Sequence, residues 1–147
     1  MNNFQKNRFC NQRGLASVEF TLIAALFLFV IFAIIGIART MYVYNATVNA
    51  TRLGARLAVV CSPSAANNIK AQMVARVPDL TAANVNLTYN PSGCSVATCV
   101  SVTASVSNFI VSIATPASFP LGNITIPGFS TTLVRESMDS TNNSVCS

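Results

Sequence analysis

Histidine is missing from all 147 residues. Its absence excludes nucleophilic sites of the Ser–His and Cys–His kinds and takes away the commonest metal ligand. Acids are scarce too. Of the four, Glu19 falls in an apolar run, Asp79 stands alone, and Glu136 and Asp139 lie near the C-terminus, so no acid–base constellation is in view. There is no Gly-rich phosphate loop and no internal repeat. Charge of either sign is absent between Asp79 and Arg135, where the polar positions are Ser, Thr and Asn. Charged side chains normally guard strand edges against association. A stretch without them reads either as a Ser/Thr/Asn-rich exported domain or as a sheet that packs against other subunits. The chain reads as a structural or interaction protein, not an enzyme, with no cofactor and no metal.

What the sequence has in excess is apolar side chains, 52% of residues against 9% charged. They are concentrated in GLASVEFTLIAALFLFVIFAIIGIA, Gly14 to Ala38, and from Phe20 onward the one clearly polar side chain there is Thr21. About 20 apolar residues in a helix cross a bilayer core, and backbone in lipid must satisfy its own polar groups. Residues 15–38 are therefore expected to form a transmembrane helix. Lys6, Arg8 and Arg13 precede it without an acid. The positive-inside rule keeps this leader, residues 1–14, in the cytoplasm and sends the remainder across. With those three cations set aside, six basic residues against four acids leave +2 of the net +5. The basic balance is thus largely topogenic and does not point to nucleic acid.

Cys10 lies in the leader. Cys61, Cys94, Cys99 and Cys146 lie beyond the membrane, an even number in a compartment where disulfides persist. Four cysteines allow three pairings, and composition does not choose among them. The pairing expected here joins Cys94 to Cys99, which flank a short segment between two strand candidates. It also joins Cys61 to Cys146, tying the C-terminus to the end of the long helix. With no second close cysteine pair and no histidine, a zinc site is the weaker reading.

From Arg39 to Val60 there is no proline and one glycine, Gly54, so the helix is expected to continue over residues 39–62. Val43, Ala46, Ala50, Leu53 and Leu57 form an apolar stripe, and Asn45, Asn49, Arg52 and Arg56 a polar one. The second half of the helix is thus amphipathic where the first is not. The polar stripe reads as a solvated face, with contact to an acidic neighbour in an assembly as the alternative. Pro63 disfavours helix at Ser62. Ser62 as cap and Pro63 as first residue open a second helix to Arg76 that buries Ile69, Met73 and Val77 and is closed by Pro78.

Then the period changes to two. Val85, Leu87 and Tyr89 alternate with polar residues, NPSG marks a turn, and Val100, Val102, Ala104 and Val106 mark a half-buried strand. The phase flips to Phe109, Val111 and Ile113, which puts a bulge or bend at Ser107-Asn108. NITI and FSTTLVRE follow as short strands separated by Pro127-Gly128. Connections this short call for an antiparallel sheet. The fold class is α+β: a long N-terminal transmembrane and spine helix, a second short helix, then a small antiparallel β-sheet, with residues 63–147 as a small exported domain.

From Arg13 to Arg56 the chain has RG, then VEF, a long apolar helix, and an aromatic–Asn segment leading into ATRLGAR. This resembles the type IV pilin-like leader and, within that group, the TadE-like pseudopilins of tight-adherence (Tad/Flp) pilus systems. The resemblance implies cleavage between Gly14 and Leu15 by a prepilin peptidase, which leaves Glu19 at the fifth mature position. It implies a minor part in assembling an adhesive pilus, among other pilins or pseudopilins and Tad secretion components. The place would be the bacterial inner membrane, single-pass, with the N-terminus cytoplasmic and the C-terminal domain periplasmic; incorporation into a surface pilus stays open. An intramembrane carboxylate is costly and marks function. The amine of Leu15 freed by cleavage would pair with Glu19, in the same protein or a neighbour, and set the axial register of packed helices.

Two other readings stay open. Gly36 and Ala38 have the small-residue spacing of a signal-peptidase site, which would release a soluble protein beginning at Arg39. Against it, the apolar run exceeds the usual signal-peptide core and Glu19 is left without purpose. The third reading is an uncleaved membrane anchor bearing a small periplasmic binding domain.

Overall fold

The computed structural model describes residues 9–114 and 120–146, with side chains over 14–112 and 122–146. The leader cations Lys6 and Arg8 lie outside the described residues. Helix α1 runs Phe9–Val60, 52 residues. It begins upstream of Gly14 because a lone glycine weakens a helix by about 1 kcal/mol without breaking it. The chain divides into two compact units, Met1–Ala38 and Arg39–Ser147.

In the first unit no side chain described is buried. Phe20, Leu22, Ile23, Leu26 and Phe27 are all 60% or more exposed. Thr21 Oγ1 donates to the Val18 carbonyl at 2.9 Å, so even this hydroxyl is satisfied within the helix. A helix apolar on every face is suited to lipid or to the interior of a larger assembly, and this one is long and apolar enough to cross a membrane.

In the second unit α1 buries one face, and that face differs from the expected stripe. Val43 and Ala50 are buried, but Leu53 and Leu57 are only half-buried, and Thr47, Thr51, Gly54, Ala55 and Ala58 take the centre. Thr47 Oγ1 donates to the Val43 carbonyl and Thr51 Oγ1 to the Thr47 carbonyl, each at 2.8 Å. Each hydroxyl is thereby satisfied by its own helix, which lets threonine be buried. The small side chains bring the next helix close. A Cβ on Gly54 would fall inside the van der Waals envelope of the Met73 thioether.

A 3-10 turn over Pro63–Ala65 and helix α2 over Ala66–Val74 replace the single second helix expected. Pro63 does open the element, but Ser62 makes no side-chain cap. Its hydroxyl bonds that of Ser64 at 2.7 Å instead. α2 stops short of Arg76: the Arg76 and Val77 N–H groups reach back three residues, to Met73 and Val74, since the residue before Pro78 is biased out of helical geometry. Ile69, Met73 and Val77 are buried as expected.

Five strands follow, β1 Val85–Asn90, β2 Ser101–Val106, β3 Phe109–Ala114, β4 Pro120–Ile126 and β5 Phe129–Val134. All pairing is antiparallel, but it makes two sheets, β1-β2-β5 and β3-β4, rather than one. The break falls at Asn108, whose φ of 54° turns the chain between β2 and β3. This is a bend and not a bulge, because each ladder of the three-stranded sheet runs in unbroken register. Val102, Ala104 and Val106 face inward, whereas Val100 lies before β2 and is 59% exposed. Phe109 and Val111 are buried; the inward placing of Ile113 lies outside the described side chains.

The C-terminal segment completes the core. The Glu136 and Met138 N–H groups both donate to the Val59 carbonyl, at 3.2 and 3.3 Å, satisfying one of the carbonyls that a helix end leaves unpaired. Met138 is fully buried. Ser140 Oγ accepts the Ser62 N–H at 2.9 Å, and Gln72 Nε2 donates to the Val145 carbonyl at 2.7 Å.

Two outcomes follow for stability. Gly54→Leu should overpack the contact with Met73 by about 1–3 kcal/mol, more than the roughly 1 kcal/mol of helix propensity it gains. Adding Met73→Ala vacates that space, so the double variant should lose less than the sum of the two single losses. Thermal melts of the full chain in detergent give the comparison. The Tyr89 hydroxyl is buried with no partner among the described residues, and burial raises its pKa from the ordinary 10.0. Tyr89→Phe should therefore raise stability by about 1 kcal/mol. The folded state holds the phenolic proton more tightly than the unfolded state does. Its contribution is full below pH 10 and falls as pH rises toward and through the folded pKa. Melts from pH 8 to 11 should show an alkaline loss that the Tyr89→Phe chain lacks.

Candidate functional site

Gly14, Leu15 and Glu19 lie on α1, whose first unit offers no neighbouring element to cover them. Nothing approaches the position a Gly14 Cβ would take. Leu15 is 71% exposed, and Glu19 is exposed one turn further on. Residues four apart on a helix share a face, with Cβ atoms about 5–6 Å apart, so the backbone nitrogen of Leu15 sits one turn from the carboxylate. Among the described residues Glu19 has no ion pair or hydrogen bond; the one ion pair found there is Arg39–Asp79.

The four downstream cysteines fall into two close pairs. Cys61 and Cys146 are bonded with Cα atoms 5.4 Å apart, and Cys94 and Cys99 with Cα atoms 5.0 Å apart. Cys61 is the first residue past α1, and Cys146 ends the segment that runs back along α2. The Cys94–Cys99 loop joins β1 to β2 and is also held by the Ser95 N–H on Thr98 Oγ1 at 2.8 Å and the Cys99 N–H on the Ser95 carbonyl at 3.0 Å. Among the described residues no three His, Cys, Asp or Glu side chains gather as metal ligands.

Asn45, Asn49, Arg52 and Arg56 are exposed. Asn45 and Asn49, with Tyr42, Ala46, Ala50 and Arg76, line an open groove of about 360 Å³. Arg39 pairs with Asp79 at 3.5 Å, both about half exposed, a contact that adds little stability in water. The sequence reading overlooked this pair, although Asp79 is the one acid between Glu19 and Glu136. It also overlooked Met138, which no periodicity marks.

Residues 14–56 match the model of the TadE-like protein family. The matched span begins at Gly14, contains Leu15 and Glu19, and ends at Arg56. The match is consistent with a TadE-like protein of the Tad pilus system. The chain matches no curated protein and no solved structure.

The two cysteine pairs should differ in weight. On the chain-entropy argument, a cross-link at a sequence separation of 85 contributes about 4–5 kcal/mol and one at 5 about 2 kcal/mol. Replacing Cys61 and Cys146 together by serine should lower the melting temperature of the full chain well below that of the Cys94→Ser, Cys99→Ser variant. Non-reducing peptide mapping that linked Cys61 to Cys94 would contradict both pairings.

Proposed function

Taking the TadE-like segment at residues 14–56 as the premise, we propose that this chain is a minor pseudopilin that takes part in assembling a Tad/Flp-type adhesive pilus. A prepilin peptidase cuts between Gly14 and Leu15. Residues 1–14 are its cytoplasmic leader, 15–38 its transmembrane helix, 39–62 the periplasmic continuation of the spine, and 63–147 the exported domain. Other pilins or pseudopilins and Tad secretion components are its partners. The observation that carries the reading is the coincidence of the family match with Gly14, Leu15 and Glu19 on a stretch of α1, residues 14–38, whose described side chains are unburied and apolar nearly throughout.

The chemistry gives each residue a task. Gly14 lets the peptidase approach the backbone closely, because no side chain stands in the way. Cleavage converts the amide nitrogen of Leu15 into a cationic amine. That amine and the Glu19 carboxylate cancel each other's cost in lipid, within one protein or between neighbours. A pair formed across two helices is satisfied at one axial offset and fixes the register.

Intact-mass measurement of the membrane-extracted chain should find Leu15 at the N-terminus. A bulky residue at Gly14 should leave the precursor whole, and a chain beginning at Arg39 would overturn the proposal. Glu19→Gln should insert and be cut but fail to assemble, since loss of one member of a buried charge pair costs about 3–5 kcal/mol. Co-purification with pilus components and pilus counts read this out; normal assembly by a processed Glu19→Gln chain would remove the registry role.

A further inference from the structure

We propose that the groove between α1 and Arg76 holds the headgroup of an anionic phospholipid with hydroxyls beyond its phosphate, as in phosphatidylglycerol. The guanidinium of Arg76 takes the phosphodiester. The site rests on the membrane-spanning reading of residues 15–38, and not on cleavage or pilus assembly.

The level of the groove along α1 is the first support. The helix continues past Ala38 without a break to Val60. At about 1.5 Å per residue, Tyr42 stands about 6 Å and Asn45 about 10 Å beyond the apolar run. The headgroup layer on each side of a bilayer core is about 5–8 Å deep, so the lower end of the groove opens where lipid phosphates lie. Tyrosine is enriched at that level, and the two tyrosines here are used differently. The Tyr44 ring packs edge-on against Phe129, with centroids 4.9 Å apart. Tyr42 is 63% exposed and lines the groove.

The chemistry of the lining is the second support. Its polar side chains are the Tyr42 phenol, the Asn45 and Asn49 amides and the Arg76 guanidinium. All four can donate a hydrogen bond, and none is a carboxylate. Among the described residues these side chains make no hydrogen bond or ion pair. Other amides are spent on backbone: Asn68 on the Cys146 carbonyl, Gln72 on that of Val145, Asn84 on that of Asn108. Asp79 is the acid nearest Arg76 in sequence, and it is held by Arg39 at 3.5 Å. Arg39 lies three and seven residues before Tyr42 and Ala46, on the same side of α1. The charge of Arg76 is therefore uncompensated, and Arg52 adds another cation one turn beyond Asn49.

These features select the ligand. A guanidinium matches the two free oxygens of a phosphodiester in a bidentate way. Amides both donate and accept, which suits the neutral hydroxyls of a glycerol headgroup. A choline headgroup offers them no donor and sets a second cation beside Arg76. At about 360 Å³ the groove is at the small end of ligand sites, room for a headgroup and not for a folded partner.

The test places the full chain in nanodiscs of equal phosphatidylglycerol and phosphatidylcholine and counts retained lipid by native mass spectrometry. One phosphatidylglycerol should stay bound, favoured over phosphatidylcholine about tenfold, the factor that one charge-assisted hydrogen bond supplies. Arg76→Gln should lower retention about tenfold; its side chain is exposed, so the fold is not at risk. Asn45→Leu, at unchanged charge, should lower it about threefold. Arg56→Gln removes the same charge from the polar stripe outside the groove and should leave retention unchanged. Equal losses in Arg76→Gln and Arg56→Gln would mean diffuse attraction and overturn the site. So would equal retention of the two lipids, release of the lipid by inorganic phosphate alone, or a second chain bound in its place. A chain that enters neither lipid would remove the membrane-spanning reading and this site with it. One that inserts but retains no phosphatidylglycerol would remove this site alone.

Discussion

The second unit is organised around the close approach of α1 to α2 at Gly54. Because position 54 has no Cβ, the Met73 thioether occupies the space where one would be. Ala50, Ala55 and Ala58 are buried on the same half of the helix, and Thr47 and Thr51 hide their hydroxyls against their own backbone. With α2 held there, Ile69 and Met73 become a floor for Val85, Val102 and Phe109 in one continuous core. A core this small has little margin, and losing a single methyl-sized contact is felt across it.

The same approach fixes the C-terminal segment. Two of its N–H groups converge on the Val59 carbonyl, and its last described residues run along α2. The segment from Glu136 to Met138 thus acts as the terminator of the long helix, a task that capping residues next to a helix usually perform. Ser62 is free of that task and lends its N–H to Ser140. The cross-link at Cys61 and Cys146 sits at the same junction, so covalent and hydrogen-bonded closure coincide.

What could be read from the sequence was whatever depends on local pattern. The apolar run, the proline at position 63, the alternation from Val85 and from Val100, and the phase change near Asn108 each follow from spacing alone, and the structure has a helix, a helix start, strands and a bend in those places, with β2 beginning at Ser101 and Val100 left outside it. What escaped was decided by tertiary packing. Leu53 and Leu57 counted as core by hydrophobicity, yet small residues won the buried face, since two helices approach more closely over alanine and glycine than over leucine. Thr47 and Thr51 joined neither stripe, because their hydrogen bonding to the backbone is invisible in composition. The division into two sheets escaped because alternation fixes which face of a strand is buried, not which strand lies beside it. At the candidate site, spacing put Leu15 and Glu19 one turn apart on one helix face, while the Arg39–Asp79 pair required knowing how far the chain folds back.

The outer face of the three-stranded sheet consists of Asn86, Ser105 and Ser130 in one row, Thr88, Thr103 and Thr132 in the next, and Asn90, Ser101 and Val134 in the last. None of these side chains gains or loses a proton between mildly acidic and mildly alkaline water. None gathers a counter-ion cloud for salt to compress. The face therefore offers the same hydration pattern in fresh water and in brine. Adhesion or cohesion through it would be set by hydroxyl and amide geometry alone, constant across media in which a charged surface would switch from attraction to indifference.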